Sequence, residues 1–199
     1  MFTGLTNGFG NVKVIRGTDR QHIELQTNYD TSKISIGDSI ACSGVCLTVT
    51  KINKYSFSVD ISLETLLKTT IQFWRIGTPV NFEKPIRMGD EFGGHIVAGH
   101  VDGVGSVTEI ISDNRSIKLS FQAPDELMKF IAIKGSISID GVSLTINEVS
   151  KNLFSVNIIP FTSNNTTLGK LRISDKVNIE VDLLARYIER LMKKDYKLC

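Results

Sequence analysis

Along the first half of the chain, short runs of apolar, β-branched and aromatic residues alternate with polar ones. They are broken by Gly, Asn, Asp and Ser at the spacing expected of strands in a sandwich or barrel. Six runs read as strands: Val12–Ile15, Ile23–Leu25, Ser39–Ala41, Cys46–Ile52, Ser56–Ile61 and Val80–Phe82, and their counterparts recur in the second half. No long crossover helix separates them, so a closed antiparallel barrel is the economical way to leave no exposed edge. Short helical turns are predicted at Thr31–Lys33, at Leu63–Lys68 and at Pro124–Phe130, where Asp125 and Glu126 follow Pro124 as acids favour a helix start.

The pattern is written twice. At an offset of 97, Ser39-Ile-Ala-Cys-Ser-Gly-Val-Cys-Leu-Thr-Val49 lies over Ser136-Ile-Ser-Ile-Asp-Gly-Val-Ser-Leu-Thr-Ile146, and the register continues without a gap. Phe57-Ser-Val59 meets Phe154-Ser-Val156, Thr69-Thr70 meets Thr166-Thr167, and Val80-Asn81-Phe-Glu83 meets Val177-Asn178-Ile-Glu180. Near the start the offset is 95, with Thr3-Gly4 over Ala98-Gly99, so an early loop changes length by two. The expected class is all-β: two tandem six-stranded antiparallel barrels related by internal duplication, over 1–87 and 88–184, with a C-terminal α-helix over 185–199.

That helix is marked by Leu184, Tyr187, Ile188, Leu191 and Met192, which recur at i, i+3, i+4, i+7 and i+8, with Arg186, Glu189 and Arg190 opposite and Asp182 as the cap. A helix of about 12 residues is marginal alone and needs a surface for its stripe. Periodicity leaves open whether that surface is its own barrel or another subunit.

Composition narrows the function classes. The 199 residues are 41% hydrophobic and 22% charged with a formal net charge of +2, acids and bases interspersed. No field of one sign is available for a phosphate backbone or an anionic bilayer, so neither nucleic acid nor membrane is an expected partner. The start lacks the cationic and apolar regions of a signal peptide, and no 18-residue apolar stretch occurs, so a cytoplasmic location is expected. Cys42, Cys46 and Cys199 form an odd set without CxxC spacing, expected as free thiols with no zinc site.

Chemistry is sought where the copies differ. Ser43-Gly44-Val45-Cys46-Leu47-Thr48 becomes Asp140-Gly141-Val142-Ser143-Leu144-Thr145. Gly44 and Gly141 permit a close approach of backbone to ligand, Thr48 and Thr145 offer hydroxyls, and Cys46 faces Ser143 as an unequal pair. The bland readings are a small buried Cys46 and a turn hydroxyl at Ser143. His95 and His100, in Gly93-Gly-His-Ile-Val-Ala-Gly-His100, have the wrong spacing for a helical metal pair. An imidazole there can move protons or hydrogen-bond a polar ring. His22 reads as an ordinary strand-edge residue and Trp74 as a core or interface aromatic.

Met1-Phe-Thr-Gly4, Ser43-Gly-Val-Cys-Leu-Thr-Val49, Gly93-Gly-His-Ile-Val-Ala-Gly-His-Val101, Lys134-Gly135, Asp140-Gly-Val-Ser-Leu-Thr145, Thr166-Thr-Leu-Gly169 and Val177-Asn-Ile-Glu-Val-Asp182 together resemble riboflavin synthase over essentially the whole chain. The resemblance implies Greek-key barrels, a homotrimer assembled through the C-terminal helix, and an active site between the N-terminal barrel of one subunit and the C-terminal barrel of the next. It implies that two molecules of 6,7-dimethyl-8-ribityllumazine dismutate by four-carbon transfer into riboflavin and 5-amino-6-ribitylamino-pyrimidinedione, without cofactor or metal. It leaves association with lumazine synthase open. A duplicated cradle suits such a reaction, because orienting both rings can remove roughly 7 to 11 kcal/mol of barrier in well-aligned systems.

By the same resemblance Cys46, Ser39 and Thr48 serve the N-terminal site, and Ser143, Thr145 and His100 the C-terminal one. His100 with the Ser143 and Thr145 hydroxyls would assist proton transfer at the 7-methyl group of the donor, and Cys46 or a water near it would add to C7 of the acceptor. Phe2 and Asp182 are supporting residues at the subunit junction, with Asp182 counted in the catalytic set. Ring and ribityl contacts are expected from Gly4, Leu5 and Thr6; Cys46, Leu47 and Thr48; Asp60, Ile61, Ser62, Leu63, Glu64 and Thr65; Gly99, His100 and Val101; Lys134; Val142, Ser143 and Leu144; and Ile158, Ile159, Pro160, Phe161, Thr162 and Ser163. Phe161 departs from the polar residue that relatives often carry there. The rival readings are a non-catalytic lumazine- or flavin-binding antenna or carrier of the same fold, and an oligonucleotide-binding barrel. The latter would need a basic groove with stacking aromatics that the sequence lacks.

Overall fold

A computed structural model describes residues 1–18, 21–113 and 115–192. The first copy contains β1 (Gly8–Arg16), β2 (Gln21–Thr27), β3 (Ser39–Cys42), β4 (Val45–Asn53), β5 (Ser56–Ile61), α1 (Leu63–Lys68) and β6 (Pro79–Glu83). The second contains β7 (Gly103–Ser112), β8 (Ile117–Gln122), β9 (Ser136–Ile139), β10 (Val142–Ser150), β11 (Leu153–Ile158), α2 (Pro160–Asn165) and β12 (Lys176–Val181), and α3 (Leu183–Met192) follows. Each set of six strands closes into an antiparallel barrel, in the orders β1-β2-β5-β4-β3-β6 and β7-β8-β11-β10-β9-β12. The two orders are the same path through space.

Alternation sets what each strand buries, since successive side chains point to opposite faces. In β4, Val45, Leu47 and Val49 turn inward, while Thr48 is exposed and Cys46 half-buried; β10 repeats this with Val142, Leu144 and Ile146 inside and Ser143 and Thr145 outside. Phe57 and Phe82 meet edge to face at 5.3 Å in the first core, and Phe121 stacks on Phe154 at 5.5 Å in the second. All six predicted runs lie inside observed strands. The predicted turns are 3-10 helices at Thr31–Lys33 and Asp125–Phe130 and the α-helix α1. Helix α2 was not expected, because Thr-Ser-Asn-Asn favours caps and turns; Pro160 at its first positions supplies the start.

The barrels meet across a pseudo-twofold axis held by matched residues. Asn81 donates to the Asp140 carbonyl at 3.0 Å and the Thr167 hydroxyl at 2.9 Å, and accepts from the Thr167 N–H at 2.8 Å. Its counterpart Asn178 donates to the Ser43 carbonyl at 2.8 Å and accepts from the Thr70 N–H at 2.7 Å. Phe2 and Val97 exchange backbone hydrogen bonds of 2.8 and 3.0 Å on the same axis, and with Ala41 they form a small buried cluster against which Cys46 packs.

Helix α3 touches its own barrel with its charged side. Arg186 donates to Asp102 at 2.8 Å and to the His100 carbonyl, and Glu189 pairs with Lys129. Leu184, Tyr187, Ile188, Leu191 and Met192 all face solvent, so the stripe does not seat on the barrel that carries it. Residues 193–199, including Cys199, lie outside the described residues. Among the described residues no helix is long and apolar enough to cross a membrane.

Candidate active site

The chain segment entering each barrel crosses to the other barrel before turning back. Near the N-terminus, Thr3 and Gly4 are anchored by Glu83 at the end of β6: its carboxylate accepts from the Thr3 N–H (2.7 Å), the Thr3 hydroxyl (2.9 Å) and the Gly4 N–H (3.0 Å). At the end of β12, Glu180 accepts from the N–H groups of Ala98 (2.7 Å), Gly99 (3.0 Å) and His100 (3.1 Å). Burial pushes both carboxyls up from the ordinary range, and the backbone donors pull against it.

Held this way, each turn lies on the opposite copy. The Ser143 N–H donates to the Gly4 carbonyl at 2.9 Å, and the Cys46 N–H donates to the Gly99 carbonyl at 2.8 Å. Both glycines have positive φ, +77° and +80°, and a Cβ on either would stand 2.5 or 2.6 Å from the Cβ of Ser143 or Cys46. Only glycine satisfies both the backbone conformation and the space. Val101, next along the second turn, packs on the core of the first barrel.

These crossings determine which histidine lies by Cys46 and which by Ser143. His100 follows Gly99, stands on the Cys46 side of the axis and exposes its ring. His95 is the imidazole that meets Ser143, with Nδ1 2.7 Å from Oγ. Within the chain, Ser143 is brought to His95, while His100, expected with Ser143 and Thr145, follows the Gly99 turn that lies on Cys46. The physical reason is the N-terminal segment: it crosses to Ser143 at Gly4, and His95 runs beside it, donating its N–H to the Thr3 carbonyl at 3.1 Å, while Gly99 carries His100 to the Cys46 turn. His95 is buried, its Nε2 has no protein partner, and burial holds its pKa below the ordinary value against the opposing pull of Asp182.

The remaining predicted residues sort by direction. Ser39 pairs with Thr48 across β3 and β4, and both face outward beside Cys46. Thr145 holds the matching place opposite Ser136. Asp60 faces outward on β5, whereas Leu47, Ile61, Val142, Leu144 and Ile158 point into the barrel cores, so only their backbones are open to a ligand. Ser62 caps α1 by accepting from the Thr65 N–H at 3.2 Å, which leaves Leu63 and Glu64 exposed on its first turn. In the second copy Ile159, Pro160 and Phe161 are exposed and Thr162 and Ser163 half-buried at the same level.

Leu5 is exposed and Thr6 half-buried beyond the Gly4 turn, and Phe2 is buried on the axis. Lys134 is exposed with φ +65° and donates its N–H to the Ile146 carbonyl at 2.8 Å. Asp182 accepts from the Leu184 N–H at 2.9 Å and starts α3. Cys42 is a buried free thiol pushed up by burial, and Cys46 is a half-buried free one. The described residues contain no cluster of three or more metal-ligating side chains.

The anchors Glu83 and Glu180 and the bridges Asn81 and Asn178 stand in the repeat without being predicted as site residues. The signal was a charged or amide residue repeated at the positions that alternate with the core residues Val80, Phe82, Val177 and Ile179, on the outer face of each barrel, where the other copy buries it and its hydrogen bonds must be met.

The lumazine binding domain family matches the chain twice, over residues 3–85 and 98–182. Riboflavin synthase of Photobacterium phosphoreum is 44% identical over 200 residues, covering 98% of this chain and 90% of that protein. That of Brucella abortus is 43% identical, covering 96% and 98%, and that of Bacillus subtilis 34%, covering 98% and 91%. Among solved structures, LumP complexed with riboflavin superimposes with a TM-score of 0.85 at 28% identity over 91% of this chain and 99% of that one. LumP complexed with 6,7-dimethyl-8-(1'-D-ribityl) lumazine superimposes with a TM-score of 0.83.

Proposed function

This chain belongs to the riboflavin synthase family of duplicated lumazine-binding domains, and from that membership we propose that it converts two molecules of 6,7-dimethyl-8-ribityllumazine into riboflavin and 5-amino-6-ribitylamino-pyrimidinedione. One lumazine gives up a four-carbon unit and the other receives it. The observation that carries the reading is the unequal pair Cys46 and Ser143, placed alike on two equivalent barrels and each overlain by a glycine turn from the opposite copy. Identical molecules held in equivalent cradles need such an inequality to act as donor and acceptor.

Buried and held below its ordinary pKa, His95 is neutral near pH 7. With the ring proton on Nε2, Nδ1 accepts from the Ser143 hydroxyl, and the pair can draw a proton from the 7-methyl group of a lumazine on the second barrel. Thr145 supplies a second hydroxyl on that face. On the first barrel, the Cys46 thiol or a water beside it adds to C7 of the other lumazine, with Ser39 and Thr48 adjacent and His100 available for proton exchange. Asp60 to Thr65, Ile158 to Ser163, Lys134 and the turns Gly4–Thr6 and Gly99–Val101 surround the two rings and their side chains.

We place the domain limits at 1–87, 88–184 and 185–199, and we assign the exposed stripe of α3 to a homotrimer interface. That stripe would bring the first barrel of one copy against the second barrel of another, in a cytoplasmic enzyme. The test is to mix the purified protein with the lumazine and follow riboflavin absorbance. Appearance of riboflavin at a rate proportional to enzyme is expected. A bound yellow ligand without turnover would favour instead the carrier reading, which the ligand-bound LumP structures support at the level of fold.

A further inference from the structure

Four outward-facing residues line up across four neighbouring strands of the first barrel. Ser39 on β3 pairs with Thr48 on β4. Val49 pairs with Val59, which puts Thr48 and Asp60 at the next register position on β4 and β5. Asp60 pairs with His22 on β2. The same row exists in the second barrel: Ser136 beside Thr145, Asn157 at the next position beyond the Ile146 and Val156 pair, and Lys118 beside Asn157. The hydroxyl half of each row is preserved and the far half is not. In the first barrel the row ends in a carboxylate with an imidazole on it, His22 Nδ1 lying 2.8 Å from Asp60 Oδ1, both side chains about 41% exposed. In the second it ends in an amide beside an ammonium that is already engaged by Glu148 at 2.6 Å.

We propose that His22 is a positioning residue that orients Asp60 to accept from the vicinal hydroxyls of a ligand's polyol chain, so that the first barrel grips that chain through a fixed carboxylate and the second does not. This rests on the reading that the outer row beside Cys46 carries the ribityl group. A lone aspartate at a strand end rotates freely between χ2 settings and spends its oxygens on water. With one oxygen bonded to the His22 ring, the carboxylate plane is set and the other oxygen is left to accept from the ligand. The acceptor then costs less to order when the ligand arrives.

The experiment measures riboflavin affinity by quenching of its fluorescence, and kcat and KM with the lumazine, in wild type, H22A, H22Q, D60A and H22A/D60A. We expect H22A to weaken riboflavin binding by about two- to fivefold, the range of an exposed pair, and to raise KM rather than lower kcat. Glutamine, which can donate to the same oxygen, restores binding, and H22A has no further effect once Asp60 is alanine. The inference is overturned if H22A binds as wild type does, or if its penalty persists in the D60A background. It also falls if D60A itself binds as wild type does, since the row then holds no polyol. Turnover by wild type in the same assay tests the proposed reaction independently of all three results.

Discussion

Replacing Asp140 with asparagine should flatten the pH dependence of stability. Asp140 lies in the turn between β9 and β10, where burial raises its carboxyl from the ordinary 3.8 to about 7, while the Asn178 N–H at 2.8 Å pulls in the opposite direction. A carboxyl whose folded pKa is raised leaves stability untouched below about pH 4, where both states are protonated. Between about 4 and 7 only the unfolded chain ionises, so stability falls as pH rises, and above 7 the loss is complete at about 4 kcal/mol. Linkage with these two values gives a loss of about 2 kcal/mol already at pH 5 and about 4 at pH 8, so the change across that interval is roughly 2 to 3 kcal/mol. Asparagine cannot ionise, and its amide oxygen can still accept from Asn178. Any packing cost of the new amide is the same at every pH and cancels in the comparison. Urea unfolding at one protein concentration from pH 5 to 8 reads the difference. With a slope of about 2 kcal/mol/M, D140N should gain about 1 M in midpoint on wild type over the interval. Parallel midpoint curves for the two proteins would show that Asp140 is not the neutral buried acid argued above.

Further outcomes follow from the site. Cys46→Ser should lower kcat at least tenfold while riboflavin affinity stays within about twofold; an unchanged kcat removes the thiol from the chemistry. The low-pH limb of kcat should fall below pH 6.5, as the buried His95 takes up a proton and loses its role as acceptor, and H95Q should abolish that limb along with most activity, as read from a pH–rate profile. Gly99→Ala, which adds a methyl at φ +80° against Cys46, should destabilise by about 2 to 4 kcal/mol in thermal unfolding. Ile188→Glu with Leu191→Glu should convert the assembly to monomers in sedimentation while the barrels stay folded; a trimeric double variant would dismiss α3 as the interface.

Most of the fold was legible because a repeat is a comparison the sequence makes with itself. Two runs of six strands in one register leave few ways to close, and Cys46 and Thr48, two apart on one predicted strand, share a face by alternation, whereas Ser39 joined them only through the family resemblance. What stayed hidden depends on the crossing of the entering segments. Nothing in Gly-Gly-His-Ile-Val-Ala-Gly-His says that its first histidine meets Ser143 and its second stands by Cys46, because the pairing is made by contacts between copies. The amides Asn81 and Asn178 were matched in sequence, yet their partners Ser43, Asp140, Thr70 and Thr167 lie in the opposite barrel. For α3 the stripe was visible, but that the charged side would take the barrel required Asp102 and Lys129, which are distant in the chain.

The turn tips Ser43–Gly44 and Asp140–Gly141 abut on the axis so closely that a Cβ on Gly44 would stand 2.7 Å from the Gly141 nitrogen. Neither tip can accept an inserted residue without prising the halves apart, so each copy fixes the length of the other at this point. The copies differ instead by two residues in an early loop and in single side chains such as Cys46 and Ser143. A seam intolerant of length and tolerant of identity is a route by which a symmetrical object acquires two different hands.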